Sequence, residues 1–279
     1  MSWKKKKKEI GNFKHKAKLM ICLMFAVVIG LVIFLGFRIV RNNSSYKIDS
    51  RVKNLKKTIS FKDSSFTTVG WLKIQGTSID MPIIRSDNIY EDFPVELENF
   101  AWTTNNDGKH HTNINIVGHN IFNLSAHPKI KSNYFHRLEE LMAFTYYDFA
   151  KNNQYIQYTI DGKDYVYKIY AVEFLKASEK TSFPRHDDYT KEEIKKWSEL
   201  YKKYSIYDYD VDVVENDKLI TLSTCTRFFG KDADMEFYVM GRLLREDEKP
   251  NLSKVSKNKN YKKIEKILKG DDNNEESDL

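Results

Sequence analysis

Six or more runs of β-forming residues lie between Val69 and Leu244, and they limit the folds open to this chain more than any other feature. "VGWLKIQGTSIDMPIIR", Val69 to Arg85, alternates β-formers around QGTS, a hairpin signal. "TNINIVGH", "YIQYTID", "DYVYKIYAVEFL", "KLITLSTC" and "MEFYVMGRLL" follow, with DGKD as a turn between the second and third of these. The runs are irregularly spaced and no internal repeat is evident. A mainly β fold with added helices is expected, either a barrel or a sandwich. The two helical stretches are "NYFHRLEELMAF", with Phe135, Leu138 and Leu141/Met142 at helical spacing, and "TKEEIKKWSELYKKY". In the second, Thr190 and Glu193 stand as a capping box ahead of Ile194, Trp197, Leu200 and Tyr201.

Upstream, Leu19 to Phe37 is an uninterrupted uncharged apolar run. Its length matches a helix crossing roughly 30 Å of hydrocarbon. Lysines 4 to 8, with Lys14, Lys16 and Lys18, crowd its N-terminal side, while Arg38, Arg41, Lys47, Arg51 and Lys53 are sparser beyond it. This predicts a single-pass anchor in the cell membrane, N-terminus cytoplasmic and the rest extracellular. A cleaved signal peptide fits less well, because the run exceeds an h-region of about 7–15 residues and no A-x-A-like site follows. The expected organisation is a basic cytoplasmic segment at 1–18, the transmembrane anchor at 19–37 and a stalk at 38–68. A folded domain at 69–246 and a charged, poorly ordered tail at 247–279 complete it.

The net charge of +7 is concentrated around the apolar run. It reports topology more than ligand, and with no recognition motif in the body of the chain it does not indicate nucleic-acid binding. The two cysteines, Cys22 and Cys225, cannot form a disulfide framework, since Cys22 lies in the apolar run. No His/Cys/carboxylate spacing calls for a metal, and no cofactor is expected.

Cys225 ends the strand-like run "KLITLSTC" just before the turn "TRFFGKDAD". A lone cysteine is commonly a small buried hydrophobe, but this position puts the thiol at an accessible rim. A thiol needs a nearby imidazole or cation to act as a nucleophile near neutral pH. Of seven histidines, only His119 closes a β-run, with Gly118 just before it.

With that pair in view, the chain resembles the sortases, membrane-anchored cysteine transpeptidases of Gram-positive bacteria. "TLSTC", Thr221 to Cys225, is similar to their TLxTC signature, and "VGHN" is similar to the segment bearing their histidine. The opening strands and the helix before the cysteine strand resemble class B, over roughly Val69 to Arg245. The resemblance implies a closed β-barrel and a cell-wall protein-anchoring transpeptidase with Cys225 as nucleophile and His119 as acid and base. Its partners would be a secreted protein bearing a C-terminal sorting signal and an amine on a peptidoglycan precursor or pilin. Asn120, Ser223 and Thr224 would line the substrate groove, with the alternative that the hydroxyls cap local backbone.

The match departs at one point. Where such enzymes carry an arginine at the start of the following strand, this chain has Met235 or Glu236. Arg227 is the candidate substitute for oxyanion or substrate contact, while Arg242 stands too far down the strand. The departure keeps two alternatives open: a catalytically impaired scaffold that binds sorting signals or pilins, and a cysteine peptidase of cell-wall peptides.

Overall fold

The computed structural model describes residues 18, 20–35, 67–85, 101–103, 110–130, 137–160, 162–176 and 188–269. The chain divides into two compact units, Met1–Lys47 and Ile48–Leu279.

In the first unit, helix α1 covers residues 20–35 with its apolar side chains exposed. Among the described residues no helix is long and apolar enough to cross a membrane. This overturns the expected anchor at 19–37, and with it the membrane as a partner and the single-pass placement of the protein. Residues 19, 36 and 37 of the apolar run, and the stalk up to residue 66, lie outside the described residues.

The second unit is built on a closed eight-stranded barrel, so the described fold is mixed α/β rather than a sandwich. Its strands are β1 (Thr67–Ile74), β2 (Asp80–Arg85), β3 (Ala101–Thr103), β4 (Asn113–Val117), β5 (Tyr155–Ile160), β6 (Lys163–Lys176), β8 (Leu219–Thr226) and β9 (Met235–Leu243). Around the barrel they run β1-β2-β3-β4-β8-β9-β6-β5. Only the β2–β3 and β4–β8 pairs are parallel. Strand β7 (Tyr207–Tyr209) pairs outside the barrel with β10 (Val255–Lys257).

The QGTS segment does join β1 to β2. Gly76 there has φ +79°, and a Cβ would fall 2.2 Å from the side-chain oxygen of Asn153. Alternate residues fill the interior: Leu72 and Ile74, Ile114 and Ile116, Ile220 and Leu222, and Phe237 and Val239 are all buried. Each such side chain contributes about 1.5–3 kcal/mol by leaving water. Along most of β6, β8 and β9 the residues between them are buried as well. Helix α3 (Lys191–Tyr204) packs on β6 and buries Ile194 and Tyr201. Its capping box is formed as expected, with Thr190 Oγ1 accepting from Glu193 N–H and Glu193 Oε2 accepting from Thr190 N–H.

Three elements differ from the sequence reading. The stretch read as helical, Asn133 to Phe144, is a 3-10 helix from Leu138 to Thr145, its residues 133–136 lying outside the described residues, and α2 (Tyr147–Asn152) follows after extended Tyr146. Leu138 to Phe144 are all buried, including Glu139 and Glu140. Strands β3, β7 and β10 have three residues each, too few for alternation to register. The chain beyond Glu246, read as poorly ordered, supplies β10 and α4 (Tyr261–Lys269). Tyr147 hydroxyl donates to Val255 O at 2.8 Å, Gln154 bonds Ser253 through both amide atoms, and Asn258 Nδ2 donates to Ser205 O at 2.7 Å. The closing charged residues, 270–279, lie outside the described residues.

Candidate active site

Strand β8 is buried from Leu219 to Thr224 and again at Thr226, yet Cys225 between them is exposed. Its parallel neighbour β4 pairs Val117 with Ser223, and the ladder continues as Gly118 N–H donates to Ser223 O at 3.1 Å. Two residues past that last pair on each strand stand His119 and Cys225. The register therefore brings imidazole and thiol to the same end of the barrel from positions 106 residues apart in the chain. Gly118 is needed for the approach, because a Cβ there would meet Leu138 Cγ at 2.6 Å.

His119 is partly buried, and its ring packs on Trp102 of β3 with centroids 4.8 Å apart and planes at 59°. Trp102 was not singled out in the sequence, since β3 is too short to read. The other described histidines are elsewhere. His127 is exposed, and His110 lies before β4, at the opposite end of the β4–β8 pair. There Lys218 Nζ donates to His110 O, and burial, with the charge of Lys218 adding to it, pushes the His110 imidazole down to about 4. His15, His136 and His186 lie outside the described residues.

The loop after β4 is tied down by side chains that the sequence reading left out or assigned to substrate. Asn120 is 6 % exposed, and its amide nitrogen donates to Cys225 O at 3.0 Å and to Asn123 O at 3.1 Å. Its oxygen accepts from Asn123 N–H at 3.0 Å. Asn123 donates in turn to Lys129 O and Glu139 O. Glu139 Oε1, on the 3-10 helix, accepts from the N–H groups of Ile121 and Phe122 at 3.0 and 3.2 Å. Thr224 Oγ1 donates to Gly118 O at 2.7 Å. The residues expected at the rim, Asn120, Ser223 and Thr224, are all buried, and the Asn120 and Thr224 side chains hold backbone. A parallel β4–β8 pair ending in a loop leaves carbonyls without ladder partners, and these side chains satisfy them.

Strand β9 sets Glu236 directly across from Cys225 and Met235 across from Thr226. Tyr238 hydroxyl donates to Glu236 Oε2 at 2.5 Å. Arg242 pairs with Leu219, six residues from Cys225 along β8, or about 20 Å. Its buried guanidinium binds Glu248, Asp212 O and Leu243 O. Arg227 is exposed two residues beyond Cys225, and its N–H donates to Leu124 O at 2.9 Å. Among the described residues no group of three or more His, Cys, Asp or Glu could hold a metal ion.

The sortase domain family matches residues 72–244, well over half of the chain and all of this barrel except the first residues of β1. The chain belongs to the sortase family. The sortase barrel here is 25 % identical over 175 residues to sortase B of Staphylococcus aureus, covering 56 % of this chain and 62 % of that protein. The chain thus spans about three fifths of the length of that curated relative. Among solved structures it is similar in fold to sortase B of Clostridium perfringens, with TM-score 0.52, 20 % identity, and coverage of 70 % of this chain and 99 % of that one. It is also similar to the sortase B from the type II pilus of Streptococcus pneumoniae, with TM-score 0.52, 15 % identity, and coverage of 71 % and 98 %. All three of these relatives are sortase B proteins.

Proposed function

We propose that this sortase is a cysteine transpeptidase in which Cys225 is the nucleophile and His119 the acid and base. The Cys225 sulfur attacks the carbonyl of a threonyl peptide bond in a sorting signal. The C–N bond breaks as His119 protonates the departing amine, leaving a thioacyl enzyme. An amine acceptor on a cell-wall precursor or pilin then gives its proton to His119 and attacks the thioester, and the thiolate leaves. The domain performing this is the barrel unit at 69–246. The observation that supports the reading best is an exposed thiol on an otherwise buried strand end, beside the loop bearing an imidazole and bonded to it through Asn120.

Arg227 is the cation proposed to steady the oxyanion. Residues 225 and 227 are both exposed, with buried Thr226 between them. Glu236 across from Cys225 favours a second reading, an impaired scaffold that binds sorting signals without turnover.

Mass spectrometry of the purified chain with a library of threonine-containing peptides, with and without an amine, separates these readings. The expected result is an acyl adduct on Cys225 that passes to the amine. It is absent in Cys225→Ala and about 10²–10⁴-fold slower in His119→Ala. Binding without an adduct favours the scaffold. An adduct released only to water favours a peptidase.

A further inference from the structure

Cross-strand partners in an antiparallel pair share a face, with Cβ atoms about 4.5–5.5 Å apart. Cys225 and Glu236 are such partners. Glu236 is 7 % exposed, beside the exposed thiol, and Tyr238, two residues along the same face, holds its carboxyl by a hydroxyl bond of 2.5 Å. The remaining cross-strand neighbour of Glu236, from β6, is the apolar Leu175. The carboxyl is thus held on the strand face that also carries the sulfur, at the register position opposite it.

A negative charge there does not help the first half of the reaction. It opposes formation of the thiolate and of the oxyanion, both anionic. The second half differs. An aliphatic amine arrives at neutral pH as an ammonium ion, because its pKa is about 10. A fixed carboxylate beside the thioester binds that ion, and the partly desolvated setting strengthens the charge-assisted hydrogen bond. We propose that Glu236 is the acceptor-specificity residue of this site, receiving the ammonium group of an aliphatic amine and holding it against the thioacyl group on Cys225. The inference rests on the assignment of Cys225 as the acyl-carrying thiol. The bound ammonium passes one proton to His119, the freed nitrogen pair forms the new C–N bond, and as the C–S bond breaks the second N–H proton goes to the leaving sulfur, giving the amide and the Cys225 thiol. The same residue that slows acylation thereby favours transfer to an amine over transfer to water.

The test uses the full chain loaded with the benzyl thioester of acetyl-threonine, which acylates an active thiol by exchange and releases benzyl mercaptan. The adduct on Cys225 is read by mass. The acyl-enzyme is then divided between water and either n-butylamine, an ammonium at pH 7, or methoxyamine, which is neutral there. In Glu236→Gln the n-butylamine concentration for half-maximal transfer rises about ten-fold, that for methoxyamine is unchanged, and loading does not slow. In the wild-type chain, the preference for n-butylamine shrinks as salt rises from 0.05 to about 0.5 M, a readout that needs no variant to fold. Equal effects on both nucleophiles, or a salt-independent preference, overturn the proposal. A missing adduct on wild-type Cys225 sinks the nucleophile assignment and this inference together, whereas a loaded Cys225 without charge discrimination sinks this inference alone.

Discussion

The side-chain amide of Asn120 donates to the main-chain carbonyl of Cys225 at 3.0 Å, joining the residue after the candidate base to the candidate nucleophile. Asn120→Ala leaves the carbonyls of Cys225 and Asn123 without this donor in a buried setting. The expected cost is about 1–3 kcal/mol in urea unfolding. Acyl-enzyme formation should fall about 10²-fold, because a displacement near 1 Å between reacting groups is enough for that. A variant with full stability and full rate would show that the bond does not position the pair.

Glu139 anchors the same loop from below. Because its carboxylate accepts from Ile121 and Phe122 N–H, Glu139→Ala should free both amides. Native-state hydrogen exchange is expected to accelerate at residues 121 and 122 while the amides of β8 and β9 stay protected. Unchanged exchange would mean that the loop is held by Asn120 and Asn123 without Glu139.

Arg227 and Glu236 make opposite predictions for the acylation step. Arg227→Ala should slow thioacyl formation by something like 10²-fold, the scale of a lost oxyanion donor, and Arg227→Lys should restore it in part. Glu236→Arg should speed the same step. Single-turnover rates with a common thioester decide the matter, and a silent Arg227→Ala removes that residue from the mechanism.

Glu173 on β6 is 1 % exposed, and neither carboxyl oxygen has a hydrogen-bond partner among the described residues. Burial raises its pKa well above the usual value, so the folded protein holds the proton that the unfolded chain releases. The stability this provides is complete below the unfolded value near 4.5 and is lost as pH rises toward the folded one. Glu173→Gln removes that loss, so urea midpoints of variant and wild type should diverge between pH 5 and roughly 8, with the variant the more stable.

His110 gives the reverse sign. Its folded value of about 4 lies below the ordinary 6.5, so the unfolded chain binds the proton first. The stability involved is whole above 6.5 and is lost as pH falls through the window down to about 4. His110→Gln, which takes no proton, should flatten the melting temperature across that window relative to wild type. An identical pH profile would remove His110 as the source.

Cys225, His119, the barrel strands that carry them and the Thr190/Glu193 capping box were legible in the sequence, because alternation, capping and turn signals act over a few residues. The same locality explains the misreadings. Hydropathy marked a span at 19–37, whereas among the described residues no helix is long and apolar enough to cross a membrane. Helical spacing in "RLEELMAF" could not reveal that Glu139 and Glu140 are buried, since their acceptors find backbone N–H groups in distant segments. The parallel pairing of β4 with β8, the packing of Trp102 on His119, the turn of Asn120 toward Cys225 and the stance of Glu236 opposite the thiol were decided only by the closed barrel. The strand register that sets these contacts depends on residues far apart in the chain, and no local pattern encodes it.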